Sequence, residues 1–551
     1  MQGPLSRAVA GLCTALLPQV SERTAGGLRE VLRRLDTPLQ LAVAGRIKAG
    51  KSTLVNALIG RRVAPTDVGE CTRLVTRFQY GTVDRIEVVM KNGSRTTIAF
   101  APDGGIPSDL AGLGGVDGLD AVSHLEAYLT SALLSDVTVI DTPGLGSMDA
   151  ASVARTEALL GAKGAASADS AAPADSADPA AETASAAADP GALDQVSEFA
   201  VAGAEAIVYV FTQSVRSDDT KVLAAFTAAT ASRDAGPVNA LAVLNKADTV
   251  QPDDVEQTAG GTRATESSDA IWKAAERLAR SQAAVLRPRV ADVLPMNGLL
   301  AETAETGAFT SSDAEALRAL AGVDEALFGA MMMAGDLFTS LEAPVDSPTR
   351  VRLLQLLDLY GIRQAVEIVR AEPTVSAGEL RRRLLARSGL EEFRRRLGEV
   401  FRLRSDGIKA SAALASIGAL AASTADPHER QRVHDGIEML LQRPEAHQLR
   451  LLEALTLVSS GAVAMDAELT AEILRLGGST RPDEQLGLVG RRGAELQAAA
   501  LERAGWWRSF ASFGATPGQS RVAHVVHRAY FLLWQQLKGQ LPSGPPGLAS
   551  R

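Results

Sequence analysis

Aromatic residues make up only 4% of this 551-residue chain, and cysteine occurs just twice. Cys13 and Cys71 share no Cys-x-x-Cys spacing and have no histidine pair beside them in sequence. That excludes a disulfide framework or a zinc finger as the basis of the fold and fits a reducing compartment. Basic charge is also scarce, with 56 Lys and Arg against 65 Asp and Glu and a net charge of -9. The broad basic footprint of a nucleic-acid-binding protein is therefore missing, and no nucleic-acid partner is expected. Long apolar runs are absent too. The most apolar late window, Ala410 to Ala425, is mainly Ala and Ser and falls short of the roughly 20 apolar residues that span a bilayer. Ala8 to Leu17 has the apolarity of a signal sequence but no basic segment before it and no clear cleavage box around Pro18 and Glu22, so it reads as a helix face. The composition describes a soluble, mostly helical protein, and its length predicts about two to four folding units.

Residues 1–37 carry apolar positions at helical spacing (Leu12, Leu16, Val20, then Leu28, Val31, Leu32), which predicts one or two amphipathic helices that join a later helical bundle. Leu39 to Ala44 reads as a strand. Leu74 to Tyr80 and Ile86 to Met90 follow as strands, and Asn92-Gly93 is a two-residue turn leading into Arg95 to Phe100, so this part of the sheet is expected to be antiparallel. Val137 to Ile140, Ile207 to Phe211 and Ala240 to Leu244 are short apolar strands separated by helical sequence, as parallel βαβ units require. Residues 161–192 are almost wholly Ala, Ser, Asp, Pro and Gly. They have too little apolar surface to offset the entropy of ordering and read as a disordered insertion. Beyond Leu300 strand signals vanish and Arg-rich helical segments follow: Leu353 to Val369, Ala377 to Leu385, one long helix from Leu390 to Ala425, then Gln448 to Met465, Ala494 to Ala504 and Arg521 to Leu541. The expected fold is an α/β P-loop domain over 38–375, its mixed, mostly parallel sheet flanked by helices on both faces, with a helical neck and trunk over 376–551.

Three motifs carry the chemistry. Gly45-Arg-Ile-Lys-Ala-Gly50-Lys51-Ser52 fits a phosphate loop between a strand and a helix. Its glycines let the backbone N–H groups of Lys48 through Thr53, including Ala49, curl around phosphates. Lys51 is expected to reach the terminal phosphates and Ser52 to give Mg²⁺ a hydroxyl. Asp141-Thr142-Pro143-Gly144 ends a buried strand, which puts Asp141 at the carboxyl edge of the sheet, where it is expected to hold magnesium directly or through water while Gly144 reads the γ-phosphate. Asn245-Lys246-Ala247-Asp248 closes the next such strand. Asp248 can accept both guanine N1–H and the exocyclic amine, a pairing adenine lacks, so the nucleotide is expected to be GTP. Asn245 is expected to brace this loop and the stem of Lys246 to cover the base. Thr72 is a candidate switch residue for magnesium and the attacking water. Pro295-Met296-Asn297-Gly298 is a candidate for a further guanine loop through Asn297.

Together these residues resemble the dynamin-like large GTPases, in particular the bacterial branch that includes the actinobacterial isoniazid-inducible proteins. The resemblance rests on Gly45 to Gly60, Val63 to Thr76, the Asp141 to Gly144 and Asn245 to Asp248 runs, and Ser388-Gly389-Leu390 opening a helix. It implies a GTP-hydrolysing head on a helical trunk, pairing of heads across the nucleotide in a homodimer or with a paralogue, and peripheral work on the cytoplasmic face of a membrane. Relatives often carry Gln and Ser where this chain has Ile47 and Lys48. Those groups position water and a monovalent cation, a task Ile47 cannot perform, so Lys48 is expected to supply the missing positive charge. Candidate membrane-contact segments are Ala410 to Ala425, a turn at Pro427 to Pro444, and Trp506-Trp507 with Phe510 and Phe513. A GTP-dependent switch with little hydrolysis and a ribosome-assembly GTPase of the translation-factor type are the alternative readings.

Overall fold

The computed structural model describes residues 3–66, 74–107, 121–142, 204–216, 219–220, 223, 239–251, 268–286, 289–402, 404–459, 461–479 and 481–540. Thr72, Gly144 and the segment 161–192 lie outside them. Strands β1 (Leu39–Gly45), β2 (Thr76–Tyr80), β3 (Arg85–Met90), β4 (Arg95–Ile98), β5 (Val122–Leu129), β6 (Val137–Asp141), β7 (Ala206–Thr212), β8 (Ala240–Asn245) and β9 (Val293–Met296) form one sheet in the order β4-β3-β5-β2-β6-β1-β7-β8-β9.

From β6 through β1, β7 and β8 to β9 the strands run parallel. β1, β6 and β8 are buried along their whole length, as expected where helices cover both faces of a sheet. The far side is mixed. β3 pairs antiparallel with β4 and β5, while β2 lies antiparallel to β6 and parallel to β5. The hairpin at Asn92-Gly93 is therefore present, but β2 and β3 are not neighbours, because β5, a strand absent from the sequence reading, separates them.

Helical structure occupies the rest of the described chain beyond β9. Residues between Leu300 and Leu384 build a hydrophobic cluster of their own around Leu317, Phe338, Leu357 and Val366. Leu390, Phe393, Leu397, Val400 and Phe401 instead join the core beneath the sheet. The long helix expected from Leu390 to Ala425 is broken: Leu390–Leu397 passes into a π-helical turn, Gly398–Arg402, before Ser405–Ser423 begins. The wider turn shifts the helical face, so Val400 and Phe401 reach the sheet core while Ala410, Leu414 and Ile417 enter a different one.

That second core is shared with Pro4–Leu16 and Glu22–Asp36, whose Leu5, Val9, Leu28 and Val31 pack on Ser405–Ser423. The apolar face of Ala410 to Ala421 is thus interior and not a membrane surface. The expected turn at Pro427 is a helix, Pro427–Leu441, with proline in its first turn, where the missing N–H costs nothing. A third cluster joins His447–Ser459, Ala467–Gly478, Ala494–Phe513 and Pro517–Gln540, with Trp507 and Tyr530 fully enclosed. Among the described residues no helix is long and apolar enough to cross a membrane.

Candidate functional site

β1 lies inside the sheet, between β6 and β7, and ends at Gly45, which adopts φ 152°. A Cβ there would meet the Val210 carbonyl oxygen of β7 at 2.1 Å, so only glycine lets the chain leave the strand at this point. The loop turns through Lys48 at φ 62° and Gly50 at φ 88°, then starts the helix Lys51–Ile59. A side chain at Gly50 would strike Asn245 Nδ2 at 2.2 Å. The contact is close because Asn245 holds the loop in place: its Nδ2 donates to the Ala49 carbonyl at 2.8 Å, and its Oδ1 accepts from Gly298 N at 2.9 Å. One buried amide ties the phosphate loop to the Asn297-Gly298 turn.

Lys51 is buried, and its Nζ donates to the Arg46 carbonyl at 3.2 Å. Burial lowers its pKa, and the Asp141 carboxylate opposes that shift. Ser52 Oγ donates to Asp141 Oδ2 at 2.9 Å, while Asp141 Oδ1 is buried with no hydrogen-bond partner. Burial pushes the Asp141 carboxyl up to about 6, against the pull of Lys51 and the Ser52 hydroxyl. A dry, uncompensated carboxylate oxygen beside a hydroxyl is a hard-oxygen donor set, and it fits a divalent cation such as magnesium. Thr142 fastens this strand end by donating from Oγ1 to the Val43 carbonyl at 2.9 Å.

Lys246 turns through φ 55° and is exposed, and Asp248 follows in the short 3₁₀ turn Ala247–Thr249. Burial pushes Asp248 up to about 6, and the Asp358 carboxylate adds to the shift. Asn297 is buried. Its Oδ1 caps the helix Gly298–Glu305 through Leu300 N at 3.0 Å, and its own N–H donates to the Ser388 carbonyl at 2.9 Å. The structure thus gathers Gly45, Lys48, Ala49, Gly50, Lys51, Ser52, Thr53, Asp141, Asn245 and Gly298 at the carboxyl edge of the parallel strands, and connects Lys246, Asp248 and Asn297 to that edge.

Sequence reasoning missed two groups. Asp358 interrupts the helix Ser347–Ala371 with φ 53° and ψ 175° and acts electrostatically on Asp248, as Asp248 does on Tyr360. Arg46, Ile47, Gln213, Arg216 and Asp219 line a cavity of about 280 Å³ against the phosphate loop. Asp219 shapes it by accepting from Tyr209 Oη at 2.5 Å and Arg216 N at 2.7 Å. The run after β7, Thr212-Gln213-Ser214, carries no motif; the left-handed Gln213, φ 61°, appears only in the fold.

Comparison with known proteins agrees with this geometry. Residues 41–247, which run from β1 to the turn after β8, match the model of the dynamin family. The isoniazid-induced protein IniC of Mycobacterium tuberculosis is 30% identical over 481 residues, covering 86% of this chain and 85% of IniC. A bacterial dynamin-like protein of Nostoc punctiforme is 41% identical over 54 residues, 10% of this chain and 8% of that protein. A solved structure described as an oligomerised bacterial dynamin pair, with a mechanism for long-range sensing and tethering of membranes, covers 97% of this chain and 75% of its own at 12% identity, with a TM-score of 0.32. With a relative so similar along most of its length, and with the matched segment spanning the phosphate loop, the Asp141 strand end and the Asn245 brace, the chain belongs to the dynamin family of GTP-binding proteins.

Proposed function

We propose that the protein hydrolyses GTP with magnesium, through a head of residues 38–375, and couples turnover to peripheral work at the cytoplasmic face of a membrane. The observation that carries hydrolysis is the pair Ser52 and Asp141, whose free, buried Oδ1 sits where Lys51 also feels its charge. Ser52 and Asp141 would hold Mg²⁺, with Thr72 closing on it, and the bound ion would neutralise charge on the phosphates. Lys51 and the backbone N–H groups of residues 48–53 would bind the phosphates, with Gly144 at the terminal one. Asp248 would read guanine, Lys246 would cover its face and Asn245 would lock the loops. Asn297 spends its side-chain oxygen on Leu300, so its assigned role is to position the base loop.

Catalytic charge compensation would fall to Lys48, exposed on the phosphate loop between Ile47 and Ala49, which line the cavity with Arg46 and Arg216. Ile47 is 47% exposed and offers no polar group to a water molecule, which favours the second reading, a GTP-dependent switch with little turnover. Membrane contact is supported by Phe513, 93% exposed at the turn between Ala494–Phe513 and Pro517–Gln540. Trp506 stacks on Phe510 and lies under Arg503, while Trp507 is core. Residues 1–37 and 376–551 would form the neck and trunk, with Leu390 to Phe401 packed beneath the sheet, and heads would pair in a homodimer or with a paralogue.

The test is phosphate release from GTP measured against protein concentration, Mg²⁺ and liposomes. Turnover that rises with concentration and lipid, is absent without Mg²⁺ and falls about 10³-fold in Lys48→Ala supports the reading. No turnover at any concentration, with GTP binding intact, establishes the switch instead; Lys51→Ala should abolish GTP binding itself.

A further inference from the structure

A second cleft, of about 410 Å³, lies in the helical trunk away from the nucleotide site. Its walls come from separate elements. Arg443 lies just past the end of Pro427–Leu441, His447 and Arg450 stand on His447–Ser459, and His524 and Arg528 stand on Pro517–Gln540. Leu440 and Ala446 on one side belong to the core shared with the N-terminal helices, while Leu451, Val522 and Val526 on the other belong to the distal bundle. The cleft is therefore the seam between two hydrophobic cores.

Its charge is one-sided. Among the described residues none of Arg443, Arg450 and Arg528 forms an ion pair, although the chain as a whole carries a net -9. Glu445, the nearest carboxylate in sequence, does not line the cleft. Three guanidinium groups gathered without a counter-charge repel one another, a cost that an anion would remove. Two contacts fix the geometry in advance. His447 Nε2 donates to the Val525 carbonyl at 2.8 Å, clamping the walls together, and Arg528 lies 5.8 Å over the Phe531 ring. Burial and the charges of Arg450 and Arg528 hold the His447 pKa down, so this clamp is a neutral imidazole. The helix His447–Ser459 also begins here, bringing the positive end of its dipole to the cleft.

We propose that this cleft binds a phosphate group, held by Arg443, Arg450 and Arg528 across the seam between the two bundles. Guanidinium forks match the spread oxygens of a phosphate, and groups from three elements would let one anion hold the bundles in a single relative arrangement. The phosphate could belong to a lipid headgroup or to a soluble phosphate. Arg528 lies eleven residues past Pro517, or ~16 Å along the helix from the turn that carries Phe513, so a lipid phosphate would need this helix to lie along the membrane. The proposal does not depend on GTP hydrolysis.

The full chain is saturated with Mg²⁺ and a non-hydrolysable GTP analogue, so that the phosphate loop is filled. Binding is then measured to phosphatidylcholine vesicles doped with phosphatidic acid, to vesicles of equal charge doped with a fatty acid, and to inorganic phosphate by calorimetry. A preference of about tenfold or more for phosphatidic acid over the carboxylate vesicles, lost in R443Q/R450Q/R528Q, assigns a lipid phosphate. Saturable inorganic phosphate binding lost in the same variant, without a vesicle preference, assigns a soluble one. The three residues are exposed, so the fold should persist; R450Q alone should weaken either probe about tenfold and serves if the triple variant unfolds. Wild-type protein that takes up neither probe, or variants that bind as wild type does, would overturn the proposal.

Discussion

Asp248 is a carboxylate kept partly dry. Burial raises its pKa to about 6, a backbone hydrogen bond and Lys246 pull it down, and Asp358 pushes it up. Guanine would supply two N–H donors to the ionised form only, so binding favours the deprotonated state. Below pH 6 the free protein carries a proton that GTP must expel, and affinity should fall about tenfold for each pH unit under 6 while staying flat above 7. Calorimetry at pH 5.5 in two buffers of different ionisation enthalpy should register release of about three-quarters of a proton, and almost none at pH 8. Asp358→Asn keeps a side chain that tolerates φ 53° and removes the charge, so the midpoint should move to lower pH. An unmoved midpoint would place the origin of the shift elsewhere. At this scale the sequence was legible wherever spacing along the chain carries the chemistry: the loop from Gly45 to Ser52, Asp141 at a strand end, Asn245 to Asp248. Asp358 and Arg216 were not, because each meets the site only through folding of a distant segment.

Strand β5 shows why one element escaped. Its residues alternate in the strand period, but one face carries His124, Glu126 and Tyr128, which reads as a polar loop until the partners are known. Glu126 accepts from Tyr128 Oη at 2.9 Å and Arg95 Nη1 at 2.8 Å, and contacts His124 Nε2 at 3.3 Å, so β4, reaching across the intervening β3, supplies the missing charge. Burial raises its pKa, but the His124 and Tyr128 hydrogen bonds and Arg95 outweigh it and bring Glu126 down to about 2. The folded pKa is depressed, so the stabilisation is fully present above the unfolded value near 4.5 and is lost as pH falls toward 2. Glu126→Gln should cost about 1–3 kcal/mol in urea unfolding at pH 7, and the deficit should shrink between pH 4.5 and 2. A deficit constant with pH would mean that packing, not charge, holds the strand. The break at Gly398–Arg402 was illegible for a related reason: helical periodicity runs straight through it, and only the change of packing partner from the sheet core to the N-terminal helices requires the π turn.

On the scale of the whole molecule, separate cores divide the labour. The sheet core holds the phosphate loop, and the distal bundle is tied together by a buried acid, Glu472. Burial opposes its ionisation, yet Arg503 at 2.8 Å, Trp507 Nε1 at 3.0 Å and Tyr530 Oη at 2.9 Å keep its pKa below the usual range. One carboxylate thereby joins Ala467–Gly478 to Ala494–Phe513 and Pro517–Gln540. Helical spacing announced a bundle here, but a glutamate among charged neighbours carries no mark of burial in sequence. Removing it leaves Arg503 unpaired beside the core and two donors unsatisfied, so Glu472→Ala should cost about 3–5 kcal/mol. If GTP binds the proposed head alone, the loss should fall on one of two calorimetric transitions. Nucleotide should raise the head transition, by ~2.7 kcal/mol of added stability at a hundredfold excess over Kd, and leave the Glu472-dependent one in place. A single transition that both GTP and Glu472→Ala move together would instead make head and trunk one cooperative unit, with every stabilisation won at the nucleotide site felt along the whole trunk.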